Sequence, residues 1–121
     1  MDPKELTRVY YASLNNKDAA WQNLWAEDAV FQDASKTLNA NGREDVIASF
    51  TPFLKSVVSV SVKQLIIEGD AVCAIAGYVY ANQKGETLAQ DVAEVWEVSG
   101  DKLKKLTIYF DLTAYRIFIK P

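Results

Sequence analysis

The candidate chemical groups considered first are carboxyl and phenol side chains, and the chain contains no histidine. The absence of histidine excludes Ser-His-Asp triads, histidine acid–base pairs and histidine-ligated metal sites. Three residues stand where a polar side chain meets apolar neighbours: Tyr10, Asp33 and Glu94. Carboxyl and phenol groups in such surroundings can transfer protons or donate hydrogen bonds to a developing negative charge.

Glu94 lies in an apolar stretch that is predicted to be a strand. Strand alternation places its side chain on the same face as Val92 and Trp96, which predicts an inward carboxyl. Burial would raise the pKa of that carboxyl, so that it could be neutral and act as a donor. In the alternative orientation of the strand, Ala93 and Val95 face inward and the carboxyl faces away.

Tyr10 and Asp33 each have a structural alternative. Tyr10 lies on the apolar side of a predicted N-terminal helix, which favours an inward hydroxyl, but it could also be an ordinary core tyrosine. Asp33 ends a short apolar strand, where a carboxylate could instead cap the following loop. Tyr11 lies about 100° further round the helix and is expected to face elsewhere.

Length and composition predict one globular domain that spans residues 1–121. Half of the residues are hydrophobic and 12% are aromatic, which is sufficient for a core. A net charge of −3 argues against nucleic acid as a partner. The single cysteine, Cys73, allows no internal disulfide, and no signal peptide or membrane-spanning segment is recognised, so we expect a cytoplasmic protein.

The spacing of apolar residues predicts three helices in the first half of the chain, at residues 3–15, 19–26 and 43–54. Asp2 and Pro3 are typical of a helix start. Pro52 is expected to end or kink the third helix. A short strand at 29–33 separates the second and third helices.

The second half has the two-residue period of strands, joined by short turns that contain glycine. The predicted strands begin at Val58 and continue to the turn at 68–70, then cover 71–81, 86–98 and 102–112. Strands joined by such turns form an antiparallel meander. The chain is therefore predicted to be an α+β domain in which helices pack on a sheet.

Four segments resemble the NTF2-like superfamily, in particular its SnoaL-like and ketosteroid-isomerase-like branch. They are Tyr-Tyr-Ala-Ser-Leu-Asn-Asn-Lys-Asp at 10–18, Leu-Trp-Ala-Glu-Asp-Ala-Val-Phe-Gln-Asp at 24–33, Gly-Arg-Glu-Asp-Val-Ile at 42–47 and Leu-Thr-Ile-Tyr-Phe-Asp at 106–111. The resemblance implies a cone with an apolar cavity, in which three N-terminal helices pack on a strongly curved mixed or antiparallel sheet that includes a C-terminal four-strand meander.

The resemblance also implies roles for individual residues. Asp33 matches the general base of the ketosteroid-isomerase-like enzymes, and Tyr10 matches their oxyanion-stabilising tyrosine. Glu94 stands where those enzymes have an aspartate that joins the tyrosine, so its extra methylene group is a departure from the pattern. The predicted ligand contacts are Trp25, Phe31, Phe50, Trp96, Tyr109 and Asp111. For Asp111, capping of the C-terminal segment is the alternative.

Three functions remain compatible with the sequence. The first is cofactor-free and metal-free proton transfer next to the carbonyl of a small, largely apolar molecule, with Asp33 as the base. The second is binding of such a molecule without chemistry, and the third is a dimerisation or accessory module. Apolar residues on the predicted strands exceed what one cavity needs, so we expect a homodimer that forms through the sheet.

Overall fold

The computed structural model describes residues 1–121, which form three α-helices, one 3₁₀ turn and six strands. The helices are α1 (Pro3–Asn16), α2 (Arg43–Ser56) and α3 (Leu112–Ile119), and the 3₁₀ turn is Ala20–Leu24. The strands are β1 (Trp25–Asp33), β2 (Asn39–Asn41), β3 (Val57–Glu68), β4 (Ala71–Ala81), β5 (Thr87–Ser99) and β6 (Lys102–Tyr109). None of the helices has both the length and the apolar character that a membrane crossing requires.

The first helix begins as its sequence predicts. The Asp2 carboxylate accepts a hydrogen bond from the backbone N–H of Glu5 at 2.8 Å, and Pro3 occupies the first turn. The helix ends at Asn16, and the following residue, Lys17, has a left-handed φ of 59°. This geometry ends a helix because it directs the backbone away from the helical path.

The predicted second and third helices differ from the structure in length. The second is only the 3₁₀ turn, because Trp25 and Ala26 already belong to β1. The third passes through Pro52 and ends four residues later, at Ser56. A proline removes one backbone donor, and so close to the end of α2 the helix continues despite that loss.

The six strands form one mixed sheet in the order β2-β1-β6-β5-β4-β3. Strands β3 to β6 form the predicted antiparallel meander, and β1 pairs with β6 in parallel. The sheet is open, with β2 and β3 at its edges, and it is not the strongly curved cone that we expected.

Strand β3 departs from simple alternation. Its pairing with β4 shifts between Val57 and Ser59 and again between Val62 and Gln64. An extra residue in one strand turns the following side chains to the opposite face. The first shift therefore leaves Val58 exposed, whereas Val60, which pairs with Tyr78, is buried. Val62 shares the face of Val60 but is 37% exposed.

The C-terminal segment is a helix that the sequence reading did not predict. The last strand ends at Tyr109 and not at Leu112. The Asp111 carboxylate then accepts a hydrogen bond from the backbone N–H of Ala114 at 2.9 Å and caps α3. The capping alternative for Asp111 is therefore confirmed. Tyr115 and Phe118 of α3 pack against the hydrophobic core.

Candidate functional site

Strand β5 directs Glu94 into the interior. Val92, Trp96 and Val98 share its face and are buried, as alternation predicts. Glu94 itself is fully buried. The alternative orientation of this strand is therefore wrong.

Two tyrosine hydroxyls hold one oxygen of the Glu94 carboxyl. Tyr11 donates to Oε1 at 2.7 Å, and Tyr78 donates to the same atom at 2.8 Å. The Trp96 Nε1–H in turn donates to the Tyr11 hydroxyl oxygen at 3.1 Å. The second oxygen, Oε2, is buried and has no hydrogen-bond partner. One oxygen of the carboxyl is therefore held by two hydrogen bonds, and the other is buried without a partner.

The surroundings of Glu94 raise its pKa to about 7. Desolvation is the main cause, because burial disfavours the charged form. The hydrogen bonds from Tyr11 and Tyr78 act in the opposite direction, since they stabilise the carboxylate. Near neutral pH, the protonated and ionised forms of Glu94 are therefore both populated.

Tyr10 is fully buried, as expected, but its hydroxyl has no hydrogen-bond partner. Its ring lies 4.7 Å from that of Trp96 and 5.3 Å from that of Tyr11, measured between ring centroids. Desolvation, followed by the nearby charge of Glu94, raises its pKa well above the usual value. Tyr10 is thus a neutral phenol that lies beside the hydrogen-bonded group without joining it.

Tyr11 corrects the sequence reading, because it faces inward although we expected it to face elsewhere. The buried side of α1 is a wide stripe that includes Thr7 and Leu14, which lie four residues before and three after Tyr11. That spacing was a readable signal for a second inward tyrosine. Tyr78 was also missed, although alternation along β4 places it inward. We refer to Tyr10, Tyr11, Tyr78, Glu94 and Trp96 as the Glu94 cluster.

Asp33 is buried and holds the loop that follows β1. Its Oδ1 accepts a hydrogen bond from the backbone N–H of Leu38 at 2.8 Å, and its Oδ2 accepts one from the Ser35 hydroxyl. Desolvation would raise its pKa, but the hydrogen bonds from Ser35 and Leu38 outweigh it and hold the pKa below the usual value. In this conformation Asp33 is an ionised carboxylate that caps the loop, as the structural alternative predicted.

The sheet register relates the two carboxyl groups. Ile108 of β6 pairs with Asp33 on one side and with Glu94 on the other. Paired residues project to the same face, and neighbouring strands lie about 4.8 Å apart. The backbones of Asp33 and Glu94 are therefore about 10 Å apart, with Ile108 between them.

A pocket of about 490 Å³ opens between α2, α3 and the sheet, and we call it the α2–α3 pocket. Its lining is mainly apolar: Phe31, Leu38, Phe50, Pro52, Phe53, Ile108, Phe110, Leu112, Tyr115 and Ile119. The remaining lining residues are Thr37, Asn39, Ser49 and Arg116. Predominantly apolar lining with a few polar groups is typical of small-molecule sites.

Phe53 connects this pocket to the Glu94 cluster. Its ring lies 5.7 Å from that of Tyr78, 5.7 Å from that of Tyr80 and 5.6 Å from that of Tyr115. Glu94 does not itself line the pocket. Ile108 lines it, however, and is the backbone neighbour of Glu94 in the sheet.

The predicted ligand contacts separate into three groups: pocket residues, core residues and exposed residues. Phe31 and Phe50 line the α2–α3 pocket, whereas Trp25 and Trp96 are buried in the core beside it. Tyr109 is 50% exposed, because alternation along β6 turns Ile108 inward and Tyr109 outward. The remaining predicted contact, Asp111, is exposed at the start of α3 and does not line the pocket.

The pocket residues Phe53 and Tyr115 were not singled out from the sequence. Phe53 lies in the predicted third helix, but nothing in the sequence shows that it borders a pocket. Tyr115 belongs to α3, which the sequence reading did not include.

No group of three or more His, Cys, Asp or Glu side chains is placed to hold a metal ion.

Known proteins resemble this chain in sequence and in fold. A sequence model of the SnoaL-like domain matches residues 7–106. No curated protein matches the chain significantly in sequence. Many solved structures match its fold, and three examples have low sequence identity to it.

The first is a candidate SnoaL-like polyketide cyclase from Jannaschia sp. CCS1, with a TM-score of 0.83 and 16% identity, covering 98% of this chain and 92% of that one. The second is an NTF2-like protein of unknown function from Burkholderia pseudomallei, with a TM-score of 0.85 and 13% identity, covering 100% and 99%. The third is TerC co-crystallised with polyporic acid, with a TM-score of 0.83 and 16% identity, covering 98% of both chains. At these identities the likeness shows the NTF2-like α+β fold.

Proposed function

The chain belongs to the SnoaL-like domain family, and we propose that it binds a small, largely apolar molecule in the α2–α3 pocket and moves a proton next to its carbonyl group. One observation carries the proposal: a buried carboxyl, Glu94, has an unpartnered oxygen and lies beside Ile108, which lines the pocket. The family by itself does not decide the reaction, because one fold hosts many functions.

The pocket supports the binding step. Its volume of about 490 Å³ lies in the range of about 300–1,000 Å³ that is typical of small-molecule sites. The aromatic rings of Phe31, Phe50 and Phe53 offer flat apolar contact surfaces. A relative of the same fold, TerC, was co-crystallised with polyporic acid, which is consistent with a small-molecule role.

The register of the two carboxyls supports the proton transfer. A substrate that lies over Ile108 would have the ionised Asp33 on one side and Glu94 on the other. Asp33 would take the proton from the carbon between the carbonyl and the double bond, and the C–H electron pair would form a conjugated enolate. The protonated Asp33 would then return the proton to the far carbon of the double bond, which gives the conjugated ketone and restores the carboxylate. The protonated form of Glu94 would donate from Oε2 to the enolate oxygen, and Tyr10 is the second candidate donor.

Isomerisation of a β,γ-unsaturated ketone tests the reaction. With 3-cyclohexenone as the probe, the conjugated product is followed by its ultraviolet absorbance. Asp33→Asn should abolish turnover, and Glu94→Gln should reduce it strongly because the amide is a weaker donor. Asp28→Asn changes an exposed aspartate of the same strand and serves as the matched control. Turnover by Asp33→Asn at the wild-type rate would refute this assignment.

A second candidate function is binding without chemistry. Two observations favour it: the Asp33 carboxylate is already engaged by the loop, and Glu94 has no exposed surface. Native mass spectrometry of the purified protein would then show a retained small molecule of constant mass. Conversion of that molecule to a product during incubation would contradict this alternative.

We also propose that the chain forms a homodimer through the outer face of the sheet. On this face the alternating residues Ile75, Val79, Ala93 and Val95 are only half-buried, and Tyr109 is 50% exposed. When a second copy covers an apolar surface of this kind, its burial lowers the free energy and favours the dimer.

Analytical ultracentrifugation at micromolar concentration tests this interface. The wild type should sediment as a dimer, and Ile75→Glu should sediment as a monomer because it introduces a charge into the interface. Ile117→Glu is the matched control, since Ile117 is 71% exposed on α3. A wild-type mass of 13.5 kDa would contradict the dimer.

A further inference from the structure

We propose that the ligand of the α2–α3 pocket carries an acidic group that Arg116 binds at the pocket mouth. This inference rests on the proposed function and narrows its ligand to amphipathic acids. Of the fourteen residues that line the pocket, Arg116 is the only charged one. No other charged side chain lines the pocket, so Arg116 is the one lining group that could pair with a charged ligand.

The Arg116 guanidinium is free to bind a ligand. It makes no hydrogen bond or ion pair within the protein, and its side chain belongs to an exposed residue of α3. The two other arginines are engaged, Arg8 with the Glu5 carboxylate and Arg43 with the Gln22 carbonyl and Asn23. A guanidinium presents two parallel N–H donors that match the two oxygens of a carboxylate.

The arrangement of the pocket gives the ligand a direction. Arg116 lies on α3 at the exposed side, whereas Ile108 lies on the sheet beside the Glu94 cluster. The rings of Phe31, Phe50 and Phe53 also line the pocket. A ligand with an aromatic or alicyclic body would therefore place its acidic end at Arg116 and its opposite end towards Ile108.

A purely structural role for Arg116 makes a different prediction. Arg116 lies in the last turn of α3, where a positive charge interacts favourably with the helix dipole. If that were its only role, its replacement would lower stability slightly and leave ligand affinity unchanged. Affinity for matched charged and neutral probes therefore distinguishes the two roles.

The experiment compares 2-naphthoate with 2-acetonaphthone, which have the same ring system and differ in charge. Isothermal titration calorimetry is carried out on the wild type, Arg116→Gln, Arg116→Lys and Arg8→Gln. Arg8→Gln is the control, because it removes the same charge from a site outside the pocket. Circular dichroism confirms that each variant is folded.

We expect Arg116→Gln to weaken naphthoate binding by about five- to tenfold, the effect of one solvent-accessible charge-assisted interaction. Arg116→Lys should restore part of this loss, since it keeps the charge but not the two-donor geometry. Binding of 2-acetonaphthone should be the same in all four proteins.

Three outcomes would overturn the inference. Equal binding of naphthoate to the wild type and Arg116→Gln would refute the role of Arg116 while leaving the pocket proposal intact. An equal loss in Arg8→Gln would show a general charge effect and would also refute it. Failure of both probes to bind the wild type would refute the small-molecule pocket itself and the inference with it.

Discussion

Replacement of Glu94 by glutamine should make the protein more stable at alkaline pH. The amide oxygen can accept the same hydrogen bonds from Tyr11 and Tyr78, but the side chain stays neutral at every pH. In the wild type, the carboxyl must ionise in an apolar interior as the pH rises, which costs free energy. The variant avoids that cost.

The magnitude follows from the two pKa values of Glu94. The folded value is about 7, against 4.5 for an unperturbed glutamate. A raised folded pKa means that the folded state keeps a proton that the unfolded state has already released. The stability is therefore fully present below pH 4.5 and is lost as the pH rises through 7. At about 1.4 kcal/mol per pKa unit, the total loss is about 3 kcal/mol.

Urea denaturation at pH 5 and pH 8 measures this loss, with the fluorescence of the buried Trp25 and Trp96 as the signal. From pH 5 to pH 8, ionisation of Glu94 should lower the unfolding free energy of the wild type by about 2–3 kcal/mol more than that of Glu94→Gln. Glu68→Gln, which changes an exposed glutamate, should follow the wild type. A Glu94→Gln profile parallel to the wild type would refute the reasoning, because Glu94 would then titrate alike in both states.

Three further substitutions have defined outcomes. Tyr78→Phe removes a hydrogen bond to the Glu94 carboxylate, so the pH at which stability is lost should move above 7, as measured by urea midpoints across pH. Asp111→Ala removes the cap of α3 and should lower the unfolding free energy by about 1 kcal/mol; an unchanged midpoint would contradict the capping role. Asp33→Asn should reduce the loss of stability that the wild type shows below about pH 4. The lowered pKa of Asp33 stabilises the fold above that range, and this stabilisation disappears as the carboxylate is protonated. Thermal melts in which the variant and the wild type are equally sensitive to acid would oppose this.

Much of the candidate site could be predicted from local sequence patterns. Alternation along β5 placed Glu94 inward with Trp96, and the apolar stripe of α1 placed Tyr10 inward. These predictions succeeded because the direction of a side chain follows directly from the period of a strand or helix. The same rule places Tyr78 of β4 inward.

Periodicity failed where one element depends on another. The bulge between Val57 and Ser59 leaves Val58 exposed although it alternates with Val60, because pairing with β4 determines where the register shifts. Helix α3 depends on packing of Tyr115 against the core and on the Asp111 cap. The sequence reading extended the preceding strand into this segment, since the apolar residues alone do not distinguish a short helix from a strand.

The sequence by itself determined that histidine chemistry is absent and that alternation along β5 turns the carboxyl of Glu94 inward. Only the tertiary structure decided which groups meet. Tyr11 from α1, Tyr78 from β4 and Glu94 from β5 are distant in sequence. Packing of the helix on the sheet places the Tyr11 hydroxyl 2.7 Å and the Tyr78 hydroxyl 2.8 Å from Oε1 of Glu94. Hydrogen-bond partners and burial set the pKa of Glu94 near 7 and that of Asp33 below its usual value, and both depend on neighbours that no local pattern specifies.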